Sequence, residues 1–348
     1  LLFEPLTQAE VHNCAFSSWY PRLRRVAFDS AIIKPLEHDF VDYLLADGIF
    51  VPGQADWKYH GEIEEHGSSG SEWSDSDDEG APGRDAAGDS DSDAGSGADN
   101  GQRAACAPGV GRTTADIAQR IEELGGEVFP RMGWSAPTDA AWAGTTGTLK
   151  CRSVPDIYFL LKSSDKIARD LTAGRYGLPP DDAAPELVLR KWANLLPAMM
   201  FRCFVKDRRL RAISQLDYHH HDYLDEMRDE ITAKLTQLFD AHVAPSFASE
   251  NYCFDAYIAK TRDKTYVIDF EPWTASVDSC LFEWRELAAG GSDYLGLRLF
   301  PKDLNGMAHF SAKHVTNRFP TELAGDSRND TLVALIERLK RETAKNTP

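Results

Sequence analysis

The segment VIDFEPW, residues 267–273, places two carboxylates on one predicted β-strand. Side chains of a strand alternate between its two faces, so Asp269 and Glu271 share a face. Neighbouring carboxylates repel each other, and their burial is costly unless a cation lies between them. The pattern therefore predicts that this face is either open to water or holds a metal ion.

A third carboxylate lies on the preceding predicted strand. The segment NYCFDAYIAKTRDKTYVIDFEPW reads as two strands joined by a polar turn, and antiparallel pairing then brings Asp255 near Asp269. Three carboxylates on one sheet face form a hard-oxygen site suited to Mg²⁺, which usually binds one or two protein carboxylates together with phosphates and water. The alternative is a hydrated sheet face that carries three unrelated acids.

Cationic side chains also occur inside apolar runs. Arg190 and Lys191 lie at the end of LVLRKW, and Arg202 lies within MMFRCFV. A buried cation is costly unless it is paired or faces a ligand. A nucleotide would satisfy all three, because Mg²⁺ would bridge its phosphates while the cations neutralise them. Internal salt bridges between the same cations and acids are the alternative. The sequence contains no glycine-rich phosphate loop, so a nucleotide would have to be held by the sheets.

The elements that position these residues are predicted from periodicity and turn signals. Strands alternate with helices, but hairpins occur among them, which predicts an α+β fold rather than a doubly wound one. The predicted elements are a helix from about residue 38 that ends at Gly48, a helix capped by Thr114 that ends at Gly125-Gly126, a strand from Ile157 to Leu161 followed by a helix capped by Ser163 or Ser164, a hairpin turn from Asp207 to Arg209, and a long helix from about Leu224 to His242.

The charge of the chain is strongly uneven. The net charge is −17 over 348 residues, and the stretch 64–100 alone carries twelve acidic residues and one basic residue. This Ser-, Gly- and Asp-rich stretch has too few apolar side chains to form a core, which predicts a disordered loop. An acidic chain is not expected to bind nucleic acid directly. The six cysteines form no C-x-x-C pair and no apolar run is long enough to span a membrane, which favours a cytoplasmic protein.

Ordered sequence blocks resemble those of the cell division cycle protein 123 family. They include FSSWYPRLRRVAFDSAIIKPL, FPRMGWSAPTDAAW, LKCRSVPDIYFLLKSSD, LVLRKW, FRCFV, FDAYI, VIDFEPW and LFEWREL. The resemblance implies an ATP-grasp fold, in which two α+β subdomains clasp a nucleotide. The chain then divides into residues 1–60 (N-terminal part of the ATP-grasp domain), 61–112 (a long disordered acidic insertion), 113–320 (ATP-grasp core) and 321–348 (a C-terminal helix or tail).

The resemblance also implies a function. Members of this family are assembly chaperones for eukaryotic translation initiation factor two: they bind the C-terminal part of its gamma subunit and promote joining of the alpha and beta subunits. The expected cofactors are ATP and Mg²⁺, the expected partner is the gamma subunit, and the protein is expected to be monomeric. Two alternatives remain open, an ATP-grasp ligase that joins a carboxylate to an amine through an acyl-phosphate, and an adaptor whose nucleotide site has decayed.

Site residues carry over from the family block by block. The implied metal ligands are Asp255, Asp269 and Glu271. The residues implied to bind the nucleotide are Arg131, Trp134, Ala136, Arg190, Lys191, Trp192, Arg202, Asp269 and Glu271.

Four positions depart from the family pattern. Glu271 stands where many members have Asn, and Arg131 stands where a lysine is usual. Thr138 and Leu216 each replace a basic residue. These changes remove positive charge and add negative charge, so we expect weaker binding of the phosphates and a stronger dependence on Mg²⁺.

The partner surface is predicted from exposed aromatic side chains, which often anchor interfaces. The hypothesis assigns it to an N-terminal aromatic edge, formed by Phe16, Trp19 and Tyr20, and to the segment after Tyr294. Burial of these side chains in the core would contradict it.

Overall fold

The computed structural model describes residues 3–46, 111–144, 147–172, 176, 178, 184–289 and 294–304. The predicted acidic loop and C-terminal tail lie outside these residues, apart from Gly111 and Arg112. The helices are α1 (Gln8–Asn13), α2 (Phe16–Leu23), α3 (His38–Leu45), α4 (Gly111–Glu123), α5 (Val154–Lys162), α6 (Asp165–Thr172), α7 (Asp222–Glu226), α8 (Arg228–Leu238), α9 (Ala244–Ser246) and α10 (Trp284–Ala288). The strands are β1 (Ser30–Ile33), β2 (Val128–Met132), β3 (Leu187–Lys191), β4 (Met200–Lys206), β5 (Arg209–Gln215), β6 (Tyr252–Ile258), β7 (Thr265–Pro272) and β8 (Leu297–Arg298).

These strands form two sheets, which confirms the predicted α+β class. The smaller sheet has the order β1-β3-β2 and is antiparallel. The larger sheet has the order β7-β6-β4-β5-β8, in which β8 alone pairs in parallel. The smaller sheet packs one face on helices α3 to α6, through a core that includes Leu187, Leu189 and Phe40. The largest core packs α2 and α8 against the larger sheet, through residues such as Trp19, Leu235 and Phe254.

Both predicted hairpins of the larger sheet are confirmed. Strands β4 and β5 are joined by Asp207 and Arg208, whose positive φ angles of 51° and 58° match a tight hairpin turn. Strands β6 and β7 pair in the predicted antiparallel register, with one irregularity beside Asp255. This irregularity leaves Ile268 as an extra residue on β7 between two paired positions.

The predicted strand from Ile157 to Leu161 is wrong, because these residues belong to α5. Ser153 and Asp156 form a capping box at the start of this helix, and Pro155 occupies its first turn. A capping box and a proline in the first turn are helix-start signals that outweigh the β propensity of the apolar run. The following helix, α6, is capped as predicted, since Ser164 Oγ accepts a hydrogen bond from the Ile167 N–H at 3.3 Å.

Helix boundaries differ from prediction at several points. Helix α4 begins at Gly111, so Thr114 lies inside it, where its hydroxyl contacts the Tyr158 hydroxyl at 2.8 Å. Gly125 and Gly126 end this helix as predicted, with φ angles of 94° and 85°. Helix α3 ends at Leu45, and the predicted stop at Gly48 lies outside the described residues. The predicted long helix is interrupted at Met227, between α7 and α8.

The hypothesis of an aromatic N-terminal docking edge is wrong. Phe16, Trp19 and Tyr20 on α2 have exposed fractions of 0%, 2% and 5%, so all three belong to the core. Tyr294 is exposed at 43%, and the chain is described from there only to Leu304. None of the helices in the described ranges is long and apolar enough to cross a membrane.

Candidate functional site

The hairpin of β6 and β7 brings three carboxylates to one face of the larger sheet. Asp255 is the direct cross-strand partner of Asp269, as the turn length predicted. Glu271 lies two residues further along β7, opposite Cys253. Each of the three acids has a different neighbour, and these neighbours determine what each carboxylate can do.

Asp255 is held by an arginine of the adjacent strand. Arg202 on β4 is its cross-strand partner, and its Nε and Nη2 donate to the two carboxylate oxygens at 2.7 and 2.8 Å. The remaining Nη1 donates to the Asp278 carbonyl at 3.0 Å. Burial opposes the positive charge of Arg202, but the Asp255 carboxylate outweighs it and raises the pKa of Arg202 above its usual value. This two-pronged geometry is the strongest form of an ion pair.

Asp269 joins the two sheets. Arg131 on β2 donates from Nη1 to Asp269 Oδ2 at 2.7 Å, and the arginine side chain is only 3% exposed. The other guanidinium nitrogens of Arg131 donate to the carbonyls of Met132 at 3.1 Å and Trp134 at 2.6 Å. The fixed fork of the guanidinium therefore ties the turn after β2 to the carboxylate on β7.

Arg190 on β3 is a second buried cation at this junction. Its Nη2 donates at 2.8 Å to the carbonyl of Ile268, the extra residue on β7. Its Nε is buried and has no hydrogen-bond partner. Burial and the neighbouring Arg131 lower the pKa of Arg190 to about 10. An anion beside this nitrogen would satisfy the free donor and offset the repulsion between the two arginines.

Phe16 on α2 supports both arginines. The guanidinium carbons of Arg131 and Arg190 lie 5.4 and 5.3 Å from the centre of its ring, within the range of cation–π attraction. Glu186 supports the start of α2, because its Oε1 accepts from the Ser17 N–H at 3.0 Å. A Cβ on Gly133 would lie 2.7 Å from the Glu186 side chain, so any larger residue at this position would displace that side chain.

Glu271 is the least compensated of the three acids. Burial raises the pKa of its carboxyl, with Arg202 acting in the opposite direction and Asp269 in the same one. The Tyr176 hydroxyl donates a hydrogen bond to Glu271 Oε2. A further positive charge is what this carboxylate lacks, and a divalent cation would supply it.

The structure brings together most of the predicted site residues. Trp134 and Ala136 lie in the turn after β2, next to Arg131. Lys191 and Trp192 lie at the far end of β3 and line a separate cavity of about 690 Å³. No described contact connects these two residues with the carboxylates. Thr138, where the family resemblance implies a basic residue, accepts a hydrogen bond from Lys166 Nζ at 2.6 Å, so a cation lies beside this position.

The donor set fits Mg²⁺ with a phosphate-bearing ligand. No group of three or more His, Cys, Asp or Glu side chains within the described ranges is arranged to hold a metal by itself. Mg²⁺ commonly takes one or two protein carboxylates and completes its shell with phosphate and water oxygens. Asp255 has both oxygens on the guanidinium of Arg202. Asp269 accepts one hydrogen bond on each oxygen, from Arg131 and from the Phe270 N–H at 3.0 Å, and Glu271 accepts from Tyr176 on Oε2. A metal held by Asp269 and Glu271 would use the remaining lone pairs of these oxygens.

Three residues of this site were missed from sequence. Phe16 was interpreted as surface and Tyr176 and Glu186 were not considered, because each acts across more than ninety residues of chain. The only signal for Glu186 is its position directly before the LVLRKW strand, where an acid in a mostly apolar run requires a partner.

A family model with the description D123 matches residues 19–327, which is most of the chain. The chain belongs to the D123 family. The matched region includes both sheets and every residue of the site described above except Phe16 and Ser17, which lie just before it.

Relatives of this D123 protein agree along most of its length. The "Cell division cycle protein 123" of Yarrowia lipolytica is 33% identical over 97% of this chain and 85% of its own. The "Translation initiation factor eIF2 assembly protein" of Xenopus tropicalis is 34% identical over 81% of this chain and 79% of its own. The solved structure of Cdc123 from Schizosaccharomyces pombe superposes with a TM-score of 0.64 at 29% identity, covering 86% of this chain and all of that one.

Proposed function

We propose that this protein is an assembly factor for eukaryotic translation initiation factor two (eIF2) and that it binds the gamma subunit of that factor. One observation carries the proposal: relatives named eIF2 assembly protein, from Xenopus tropicalis and Candida albicans, match 81% of the chain at 34% and 36% identity. The name of the Yarrowia lipolytica relative links the same architecture to the cell division cycle. The protein would act in the cytoplasm as a monomer, as the family resemblance implies.

We further propose that the cluster between the sheets binds ATP with Mg²⁺. The unpaired Nε of Arg190 and the shared positive charge of Arg131 and Arg190 favour an anion at this point. Asp269 and Glu271 would hold the metal, which supplies the positive charge that Glu271 lacks. Trp134 and Ala136, in the turn that Arg131 fixes, would contact the nucleotide as the resemblance implies.

The proposed role of the nucleotide is to fix the two sheets relative to each other. Arg131 and Arg190 belong to the smaller sheet, whereas Asp269 and Ile268 belong to the larger one. A phosphate and metal bound among these groups would add interactions that cross the same junction. A ligand that binds only the folded, closed arrangement stabilises that arrangement, and the stabilisation increases with the logarithm of the ligand concentration once the site is saturated. In the ATP-grasp fold two α+β subdomains clasp a nucleotide between them, and we propose the same role for the two sheets of this chain.

The direct test is capture of the purified gamma subunit by the immobilised protein, with and without Mg²⁺ and ATP. We expect capture by the wild-type protein and transfer of the captured subunit into the heterotrimer when alpha and beta subunits are added. Asp269→Asn is expected to weaken any nucleotide-dependent part of the capture.

Asp240→Asn is the matched control, since Asp240 is an exposed acid outside the site. Failure of the wild-type protein to capture the gamma subunit under either condition contradicts the assembly role. Equal capture with and without nucleotide contradicts only the role of ATP.

A further inference from the structure

The two oxygens of the Glu271 carboxylate have different surroundings. Oε2 accepts a hydrogen bond from the Tyr176 hydroxyl. Oε1 accepts no hydrogen bond from any residue in the described ranges. Glu271 therefore has one oxygen that is engaged by a neutral donor and one oxygen that is available to a ligand.

The other two acids of the site lack this asymmetry. Arg202 donates to both oxygens of Asp255. Each oxygen of Asp269 accepts one hydrogen bond, from Arg131 and from the Phe270 N–H. These donors belong to the strands of the two sheets, whereas the hydroxyl donor of the third acid comes from a residue between α6 and β3 in the chain.

Packing and backbone conformation fix the position of Tyr176. Its side chain packs against a core cluster that includes Phe204, Phe282 and Trp284. Its backbone φ angle of 53° lies in the left-handed region, which residues other than glycine rarely adopt. Such a conformation persists only where the surrounding contacts determine it. The hydroxyl is therefore held on Glu271 by the fold around the tyrosine.

Divalent cations differ in what they require from a carboxylate. Mg²⁺ demands a near-octahedral shell with oxygens at about 2.0–2.1 Å and usually keeps several waters. Ca²⁺ takes about six to eight oxygens at about 2.3–2.6 Å and can bind both oxygens of one carboxylate. A carboxylate that offers one oxygen therefore suits Mg²⁺, whereas a carboxylate that offers both oxygens also suits Ca²⁺.

We propose that Tyr176 determines the metal preference of this site, because its hydroxyl restricts Glu271 to coordination through one oxygen and so favours Mg²⁺ over Ca²⁺. The hydrogen bond uses a lone pair of Oε2, which makes this oxygen a weaker metal ligand than Oε1. Coordination through both oxygens would require the hydroxyl to leave. Tyr176 is thus a positioning residue, which acts on the metal through Glu271.

The role of Tyr176 rests on the proposed site for ATP and Mg²⁺ and adds the residue that selects the metal. The test is calorimetric titration of ATP into the full chain, once with saturating Mg²⁺ and once with saturating Ca²⁺. The two titrations give two dissociation constants, and the ratio of the Ca²⁺ value to the Mg²⁺ value measures the preference. We expect the wild-type protein to bind ATP more tightly with Mg²⁺ than with Ca²⁺.

Tyr176→Phe is the decisive variant, because it removes the hydroxyl and keeps the packed ring. Both oxygens of Glu271 are then available, and the ratio should fall by about tenfold, the lower end of what a hydrogen bond to a charged group contributes. Tyr158→Phe is the matched control, because Tyr158 is a buried tyrosine whose hydroxyl contacts the Thr114 hydroxyl at 2.8 Å, away from the carboxylates. The control should keep the wild-type ratio.

Three results would overturn the role of Tyr176 and leave the nucleotide site standing. The first is equally tight ATP binding with Mg²⁺ and Ca²⁺ in the wild-type protein, a result that requires no variant to fold. The second is a change of both dissociation constants by the same factor in Tyr176→Phe, which would indicate a purely structural contact. The third is an equal shift of the ratio in Tyr158→Phe. Absence of ATP binding by the wild type with either metal would contradict the nucleotide site as well.

Discussion

The ion pair between Arg202 and Asp255 gives a sharp prediction about stability. Arg202 is 8% exposed, and two of its three hydrogen-bonding nitrogens donate to Asp255. Asp255→Asn removes the negative charge and leaves a buried guanidinium without a full counter-charge. Removing one partner of a buried pair costs about 3–5 kcal/mol. The asparagine keeps one carbonyl acceptor and Glu271 lies near enough to act on Arg202, so we expect the lower end, about 3 kcal/mol.

The measurement is the free energy of unfolding from denaturant titration, supported by the melting temperature. A loss of about 3 kcal/mol corresponds to a fall of roughly 6–12 °C in a domain of this size. The control Asp240→Asn should change the free energy of unfolding by less than about 0.5 kcal/mol, because Asp240 is exposed.

A double-mutant cycle separates the pair from the individual losses. Arg202→Met alone leaves the Asp255 carboxylate without its cation and Asp255→Leu alone leaves Arg202 without its anion, whereas the two substitutions together remove both charges. The double variant should therefore be more stable than the sum of the single losses predicts, by about 2 kcal/mol. The reasoning is refuted if Asp255→Asn costs less than about 1 kcal/mol or if the two losses add.

Other contacts give predictions of the same kind. Gly133→Ala should destabilise the protein by about 1–3 kcal/mol in denaturant titration, because its Cβ would displace the Glu186 side chain. Glu186→Gln should cost about 1 kcal/mol in the same measurement, because it weakens the carboxylate that accepts from Ser17 at the start of α2. His220 Nδ1 donates to the Phe300 carbonyl at 2.9 Å, and this contact raises the pKa of the imidazole. The stabilisation is fully present below about pH 6.5 and is lost as the pH rises through the raised pKa. The melting temperatures of wild type and His220→Gln should therefore differ below about pH 6.5 and converge at alkaline pH, and a difference independent of pH would contradict this assignment.

The local part of the fold could be predicted from the sequence. Alternating apolar residues and a short polar turn determine the β6–β7 hairpin, and its register placed Asp255 opposite Asp269. The β4–β5 hairpin follows from the same type of signal. The run from Ile157 to Leu161 was misinterpreted because a short apolar run fits a strand and a buried helix equally well. The capping box before it was the signal that distinguishes them.

The non-local part of the site could not be predicted. The sequence indicated that Arg202 and Arg190 need partners, but which acid each meets depends on sheet order and on packing between sheets. Arg202 meets Asp255 because β4 lies next to β6 in the larger sheet. Arg190 reaches the Ile268 carbonyl through an irregularity in β7 that no turn signal marks. The salt-bridge alternative and the nucleotide hypothesis are therefore compatible. Arg202 forms an internal salt bridge with Asp255, whereas the Nε of Arg190 has no hydrogen-bond partner and is available to an anionic ligand.

The central claim is that the residues between the sheets bind ATP through Mg²⁺. The most direct test is calorimetric titration of ATP into the protein with and without Mg²⁺, in the wild type and in Glu271→Gln. The account predicts magnesium-dependent binding in the wild type and a weaker magnesium dependence in the variant, which should fold at least as stably because it removes a poorly compensated buried charge. Absence of ATP binding by the wild type with Mg²⁺, or unchanged magnesium-dependent binding by Glu271→Gln, would contradict it.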